Sequence, residues 1–406
     1  APLADDPDVK AVGGAGEGPG PDTEGARGEV GAQVHAVQLV YPLHHAGLQH
    51  FHRAAGRQLL RMLEQEPHLA LEAGPFRRKQ LSCRKLHGRM AIVAAGIAVA
   101  LKEIYEYFAS CAQASMDFES AITGVAKTTD LTDEELAAMS DSIKALSTEI
   151  PATTEEIAAV AEAAGQLGIQ KDVLLDFTEI MTMLGTATNM TADEAATALA
   201  RFANITGMAT DNYGRLGSVI VDLGNNFATT ESEIVAMGTR LASAGKLAGL
   251  TEPEIMALAA AMSSVGIEAE AGGTAMTQTL NAIEKAVAKG GDDLEEFARI
   301  AGMSSEEFST AWKNDAMSAL TSFIGGLGKL DEQGESTVLV LEDLGLTGIR
   351  QSNMLKSLGL AADQMTSAVN TANTAWQQNT ALTNEANKRY ATAQSRLTMM
   401  QNAYNN

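Results

Sequence analysis

Six times between residues 132 and 307 a hydroxyl side chain is followed three positions later by a glutamate: Thr132/Glu135, Thr153/Glu156, Thr191/Glu194, Thr230/Glu233, Thr251/Glu254 and Ser304/Glu307. In each pair the hydroxyl and the carboxylate are placed to satisfy amide hydrogens that the first turn of a helix leaves without partners. Pro253 follows its cap within that first turn, where a missing amide hydrogen is tolerated. Stops are signalled by Gly165, Gly168, Gly185, Gly214, Gly249, Gly266, Gly290 and Gly326, at or beyond the ends of apolar-periodic stretches. The run Thr337 to Leu341 alternates like a strand, but the Glu-Asp-Leu-Gly that follows favours a helix. These signals predict an all-α fold, a multi-helix bundle.

Composition decides what such helices pack with. Aromatic residues make up 4 % of the chain against a hydrophobic total of 45 %. The core must therefore be built from Ala, Leu, Ile, Val and Met, which suits helices in close approach.

The caps also expose a repeat. Residues 132–169 laid on residues 230–267 agree at Thr132/Thr230, Glu135/Glu233, Thr153/Thr251, Glu156/Glu254 and Gly168/Gly266, and at small and apolar positions between them. This predicts a duplicated helix pair, each pair closed by a glycine. Composition alone is the alternative, and superposed coordinates discriminate.

Residues 361–406 contain neither proline nor glycine and predict one long, coiled-coil-like C-terminal helix. Its seam runs through Met365, Ala368, Ala372, Ala375, Leu382 and Ala386, with Asn379 at one position. It then shifts by a residue to Tyr390, Ala393, Leu397, Met400 and Tyr404. An Ala/Asn seam makes a weak coiled coil, which points to self-association through this helix.

The first 89 residues obey other rules. All seven histidines and seven of the nine prolines lie there, with 11 Lys+Arg against 10 Asp+Glu, while the whole chain carries a net charge of -22. A Gly/Pro/acid-rich tract, a His-rich run and a basic stretch do not bury enough apolar surface to offset the entropy of ordering them. Residues 1–89 are expected to be disordered or weakly structured, or a foreign reading frame joined ahead of a start at Met90. Three regions result: 1–89, a helical core over 90–360, and the C-terminal helix over 361–406.

Reactive chemistry finds little footing. Cys83 and Cys111 are expected as free thiols, and beyond them the chain has no cysteine; beyond His87 it has no histidine. Nucleophile–base pairs of those types are thus excluded over most of the chain. His44, His45, His50, His52, Cys83 and His87 have the ligand types of a zinc site without a finger's spacing, so no metal is assigned. Glu134/Glu135, Glu155/Glu156, Asp292/Asp293 and Glu306/Glu307 stand in first turns, where carboxylates complement the helix dipole. Phe323 to Leu330 resembles a phosphate-cradling loop only in part: Phe323 replaces the leading glycine and Leu330 the final hydroxyl, so it reads as a helix terminator. The acidic balance of the core disfavours nucleic acid. The apolar run Ala91 to Leu101 falls short of the ~20 residues that a helix needs to cross a bilayer. No catalytic, cofactor-binding or metal-binding residue is assigned, and no enzyme is expected.

Several blocks together carry a family resemblance. Met90 to Ala109 leads into Met116-Asp117-Phe118-Glu119; Ile150-Pro151-Ala152-Thr153-Thr154-Glu155-Glu156-Ile157-Ala158 is followed by Ala163-Ala164-Gly165-Gln166-Leu167-Gly168. Val265-Gly266-Ile267 leads into Ala271-Gly272-Gly273-Thr274-Ala275, and Leu344-Gly345-Leu346-Thr347-Gly348-Ile349-Arg350 closes the series. Over residues 90 to about 360 the order and spacing resemble the core of bacteriophage tail tape measure proteins. The resemblance implies a structural role: a scaffold and length ruler in the virion tail lumen, made in the bacterial host cytoplasm and ejected ahead of the DNA. It also implies partners, namely the tail tube protein, tail assembly chaperones and tail tip or baseplate proteins, with no cofactor and membrane contact only during ejection. The alternative is a membrane-active ejected protein that helps the genome across the host envelope through Met90 to Ala109.

Overall fold

The computed structural model describes the backbone of residues 76–406 and the side chains of residues 97–406. The expectation for residues 1–75, including the histidine run, lies outside the described residues. Among the described residues there are seventeen α-helices and no strand. They are α1 (Phe76–Thr128), α2 (Asp133–Glu149), α3 (Thr154–Gln166), α4 (Leu174–Ala187), α5 (Ala192–Thr206), α6 (Tyr213–Asn226), α7 (Glu231–Leu247), α8 (Glu252–Ser264) and α9 (Ala269–Lys289). The series continues through α10 (Asp292–Ala301), α11 (Ser305–Asn314), α12 (Ala316–Leu327), α13 (Thr337–Asp343), α14 (Ile349–Leu360), α15 (Ala362–Gln378), α16 (Ala381–Tyr390) and α17 (Ala393–Asn405). The chain divides into two units, Ala1–Ala98 and Val99–Asn406. Only the first part of α1 represents the first unit here.

The caps behave as the hydroxyl–glutamate pairs predict. At α2 the Thr132 amide donates to the Glu135 carboxylate at 2.9 Å, and the Glu135 amide donates back to the Thr132 hydroxyl at 3.3 Å. The same reciprocal bonds start α3, α5, α7 and α11. At α8 the Thr251 amide donates to Glu254 at 2.8 Å, with Pro253 in the first turn. Thr337 to Leu341 is helical, as α13.

Within the second unit α8 is the central element. From Ile255 to Met262 every side chain is buried, so this helix is apolar all round instead of striped. It packs against α6, α7, α14 and α15. To one side α10, α11 and α12 close on an aromatic cluster, with the Phe297 and Phe323 rings 5.0 Å apart and Phe308 stacked between Phe297 and Trp312. The three C-terminal helices retrace the bundle backwards: α15 lies on α8 and α6, α16 on α6 and α4, and α17 on α2.

The segments 132–169 and 230–267 fold alike and pack unlike. Helix lengths are 17 and 13 residues in both, and each second helix is followed by a left-handed glycine, Gly168 at φ 79° and Gly266 at φ 76°. Between the helices, Ile150 is extended into Pro151, whereas Ala248 stays helical and the chain turns at Gly249. In consequence α7 and α8 lie together over most of their length, and α2 and α3 touch over much less.

The helix that contains Met90 begins at Phe76, so the compositional break falls inside α1. Two expectations need correction. Residues 361–406 are three helices, not one. The first break is at Asn379, which adopts φ 49° and ψ 43°; asparagine tolerates this left-handed region without glycine's help. The second is at Ala391–Thr392, where the Thr392 hydroxyl accepts from the Ser395 amide and starts α17 afresh. Lastly, Gly185 and Gly214 lie inside helices instead of ending them, while Gly165 and Gly326 stand in the last turns of α3 and α12. A side chain on Gly185 would meet the Ala192 backbone, and one on Gly326 the Ile300 carbonyl. Their work is to let α4 meet the start of α5, and α12 meet α10.

Candidate functional site

The capping glutamates are engaged by the fold. The Lys171 ammonium donates to Glu135 at 2.6 Å; with the Thr132 amide it draws that carboxyl down to about 2. Cap amides from Thr191, Thr230 and Ser304 lower Glu194, Glu233 and Glu307 in the same way. Glu284 accepts from the Trp312 indole at 2.7 Å. Carboxylates held as anions by their own helix starts are poor general acids.

Two groups run the other way. Burial first, then the charges of Asp176 and Glu149, push Glu179 above its ordinary value. Burial also raises Asp222. Beside Glu179 stands Tyr390, whose buried hydroxyl has no hydrogen-bond partner. Burial, with Glu179 behind it, raises that phenol strongly. No nucleophile or donor converges on this corner, and among the described residues no group of three or more His, Cys, Asp or Glu is placed to hold a metal ion.

A cleft of about 430 Å³ opens between α3, α4 and α5 and is lined by residues such as Pro151, Glu156, Val160, Thr182, Gly185 and Asp193. Its polar groups are engaged locally. Glu156 accepts from the Thr153 amide at 2.8 Å, the Thr182 hydroxyl donates to the Thr178 carbonyl at 2.7 Å, and Thr186 donates to Thr182 at 3.1 Å. Hydroxyls bonded one turn back along their own helix are not aimed at a ligand. Trp312 and Trp376, the two tryptophans, sit in different parts of the bundle: Trp312 on the α10–α12 cluster, Trp376 in α15 with its carbonyl accepting from Arg215 of α6 at 2.7 Å. In the Phe323 to Leu330 segment, Gly326 and Gly328 serve packing. Gly328 meets the backbone of Gly359, so the end of α12 lies directly on α14.

What the chain offers is a scaffold of helices whose connections are tied down by scattered polar bonds. This is the setting for the comparison with known families. The sequence model of the phage-related minor tail protein family matches residues 140–345. The chain belongs to that family. The matched stretch runs from within α2 to the turn after α13 and includes α8 and the aromatic cluster. Members of this family are structural components of the virion tail, placed among other tail proteins. No curated protein and no solved structure matches the chain.

The C-terminal seam divides in two. Met365, Ala368, Ala372, Ala375, Leu382 and Ala386 are all buried within the chain's own bundle, where they meet α6, α8 and α4, whereas Leu397, Met400 and Tyr404 of the second part stay exposed. Several polar anchors escape sequence reasoning. Asn402 donates to the Ser147 and Ala152 carbonyls at 2.8 and 2.7 Å, and Gln351 donates to Thr279 at 3.1 Å in the core. Ser218 bonds Asn379 at 3.3 Å across 161 residues. A lone Asn or Gln on a helix gives no sequence signal that a carbonyl waits for it elsewhere.

Proposed function

We propose that this minor tail protein carries the core region of a tape measure protein: a scaffold and length ruler in the tail lumen on which tube subunits polymerise, leaving ahead of the DNA at infection. What supports the reading is the family match over residues 140–345 on an all-helical framework, together with the order of the tape measure blocks over residues 90 to 360. Two of those blocks lie wholly inside the matched stretch, the one after Ile150 and the one from Val265 to Ala275. Helices joined by short turns suit a ruler. Residues 90–406 drawn out as continuous helix would span roughly 480 Å at ~1.5 Å per residue, against a radius of gyration of about 20 Å when packed. On this reading its partners are the tube protein, the assembly chaperones and the tail tip or baseplate.

The experiment is an in-frame deletion series in the phage. Removing residues 132–169 should shorten the tail by roughly 57 Å at ~1.5 Å per residue, and removing both matched segments by about twice that. Tails of unchanged length would exclude a ruler role for this region. The membrane-active alternative rests on the exposed apolar face of α1; among the described residues no helix is long and apolar enough to cross a membrane. Dye release from liposomes by the purified chain would favour it.

A further inference from the structure

We propose that α16 and α17 form a hinged arm that lifts from the bundle about Asn379 while α15 stays in place. Among the described residues the hinge is the one position other than glycine with a positive φ, 49°. Asparagine tolerates that region without preferring it, so the turn between α15 and α16 has to be held from outside. The holding groups stand on α6. The Arg215 guanidinium donates to the Trp376 carbonyl at 2.7 Å, while the Ser218 hydroxyl donates to Asn379 Oδ1 at 3.3 Å and accepts from the Leu382 amide at 3.4 Å. One hydroxyl thus pins both the hinge and the first turn of the arm.

Beyond that pin the arm is lightly seated. Helix α15 buries Met365, Ala368, Ala372 and Ala375, whereas α16 buries Leu382 and Ala386 alone, and the single buried side chain of α17 is the polar Asn402. Leu382 sits over a notch on α6 where Gly217 has no side chain; a methyl there would come within 2.9 Å of it. Asn402 fastens the far end through its two bonds to the Ser147 and Ala152 carbonyls at the α2–α3 turn. Beside this clasp runs a cleft of about 200 Å³ lined by Phe118, Lys144, Thr153, Glu155 and Asn402 itself, which leaves part of α17 without close packing. Segments held by few buried apolar contacts open well below the free energy of global unfolding.

One group favours the open arm outright. Tyr390 ends α16, and its hydroxyl is sealed from solvent with no hydrogen-bond partner. A phenol buried in that way costs free energy that is recovered when water reaches it. The closed arm therefore carries a penalty midway between its hinge and its clasp. Closed, it covers faces of α4 and α6 and fastens the α2–α3 turn; open, it uncovers those faces and frees the turn. The arm belongs to the bundle itself and stands whether or not the protein sets tail length.

The test is hydrogen exchange, read helix by helix by mass spectrometry, on the full 406-residue chain and two variants. In the wild type the amides of α16 and α17 should exchange at least about tenfold faster than those of α8 and α15. Ser218→Ala removes the pin and should quicken α16 and α17 by about a further tenfold while α8 and α15 keep their protection. Tyr390→Phe works in the opposite direction: it deletes the unpartnered hydroxyl and should slow α16 by about threefold. Slowed exchange cannot come from a damaged fold, so this variant carries its own control. Three results would each overturn the proposal: α16 and α17 exchanging no faster than α8 in the wild type, Ser218→Ala quickening α8 and α15 as much as α16, or Tyr390→Phe quickening α16.

Discussion

At the scale of single residues, two glycines side by side in α12 have opposite roles. A methyl on Gly326 would land on the Ile300 carbonyl oxygen, whereas the nearest atom to one on Gly325 is the Ala362 methyl at 3.9 Å. Gly326→Ala is expected to cost about 1–3 kcal/mol by forcing α10 and α12 apart. Gly325→Ala should be neutral or gain about 0.5–1 kcal/mol from the lower entropy of the unfolded chain. Urea unfolding of the pair checks both. Protons distinguish two glutamates in a similar way. Glu135 titrates at about 2 when folded against an ordinary 4.5, so its contribution is present above about 4.5 and is lost as pH falls towards 2. Lys171→Met should therefore flatten the fall of the thermal midpoint across that acid window. Glu179 is raised, so its charge opposes folding at neutral pH and the penalty disappears as pH falls through its native value. Glu179→Gln should raise the midpoint at pH 7 and lose this advantage in acid. A larger gain in acid than at neutral pH would show the sign to be wrong.

At the scale of elements, helix starts were legible because a cap is a local device: the hydroxyl, the carboxylate and the amides they satisfy lie within four residues. All six hydroxyl–glutamate pairs start helices. The caps of α12 and α17, where Asp315 and Thr392 accept from Ser318 and Ser395, lack the glutamate and passed unnoticed. Stops were half legible, since a glycine reads the same whether it ends a helix, as Gly266 does, or admits a neighbour, as Gly185 does. The break at Asn379 was invisible for a third reason. Neither Pro nor Gly marks it; it is held from α6, where Ser218 and Arg215 reach Asn379 and the Trp376 carbonyl. The last helix offers a test of such distant anchors. Asn402→Ala would leave the Ser147 and Ala152 carbonyls without their donor, a loss of about 1–3 kcal/mol local to α17 and the α2–α3 turn. Hydrogen exchange should quicken in α17 while the amides of α8 keep their protection. Equal quickening in both would mean that α17 is integral to the core.

At the scale of the whole molecule, the family match and the folding unit have different ends. The match stops at residue 345, yet α15 covers α6, α8 and α12, and its Met365, Ala368, Ala372 and Ala375 are buried there. Removing residues 362–406 should expose the α6 and α8 faces, so the shortened chain is expected to bind a hydrophobic dye and to lose its single cooperative transition in a thermal scan. A sharp transition at an unchanged midpoint would instead make the C-terminal helices an appendage. The sequence by itself determined the class of fold, the starts of the capped helices, the small-residue core and the spending of first-turn carboxylates on caps, because each follows from groups a few residues apart or from composition. Only the tertiary structure decided which glycines admit a neighbour, where residues 361–406 break, and that the first part of their seam, Met365 to Ala386, faces inward. Those outcomes depend on distant partners, such as the Ala152 carbonyl that Asn402 reaches across 250 residues, and the desolvation that decides between them exists only once the helices have packed.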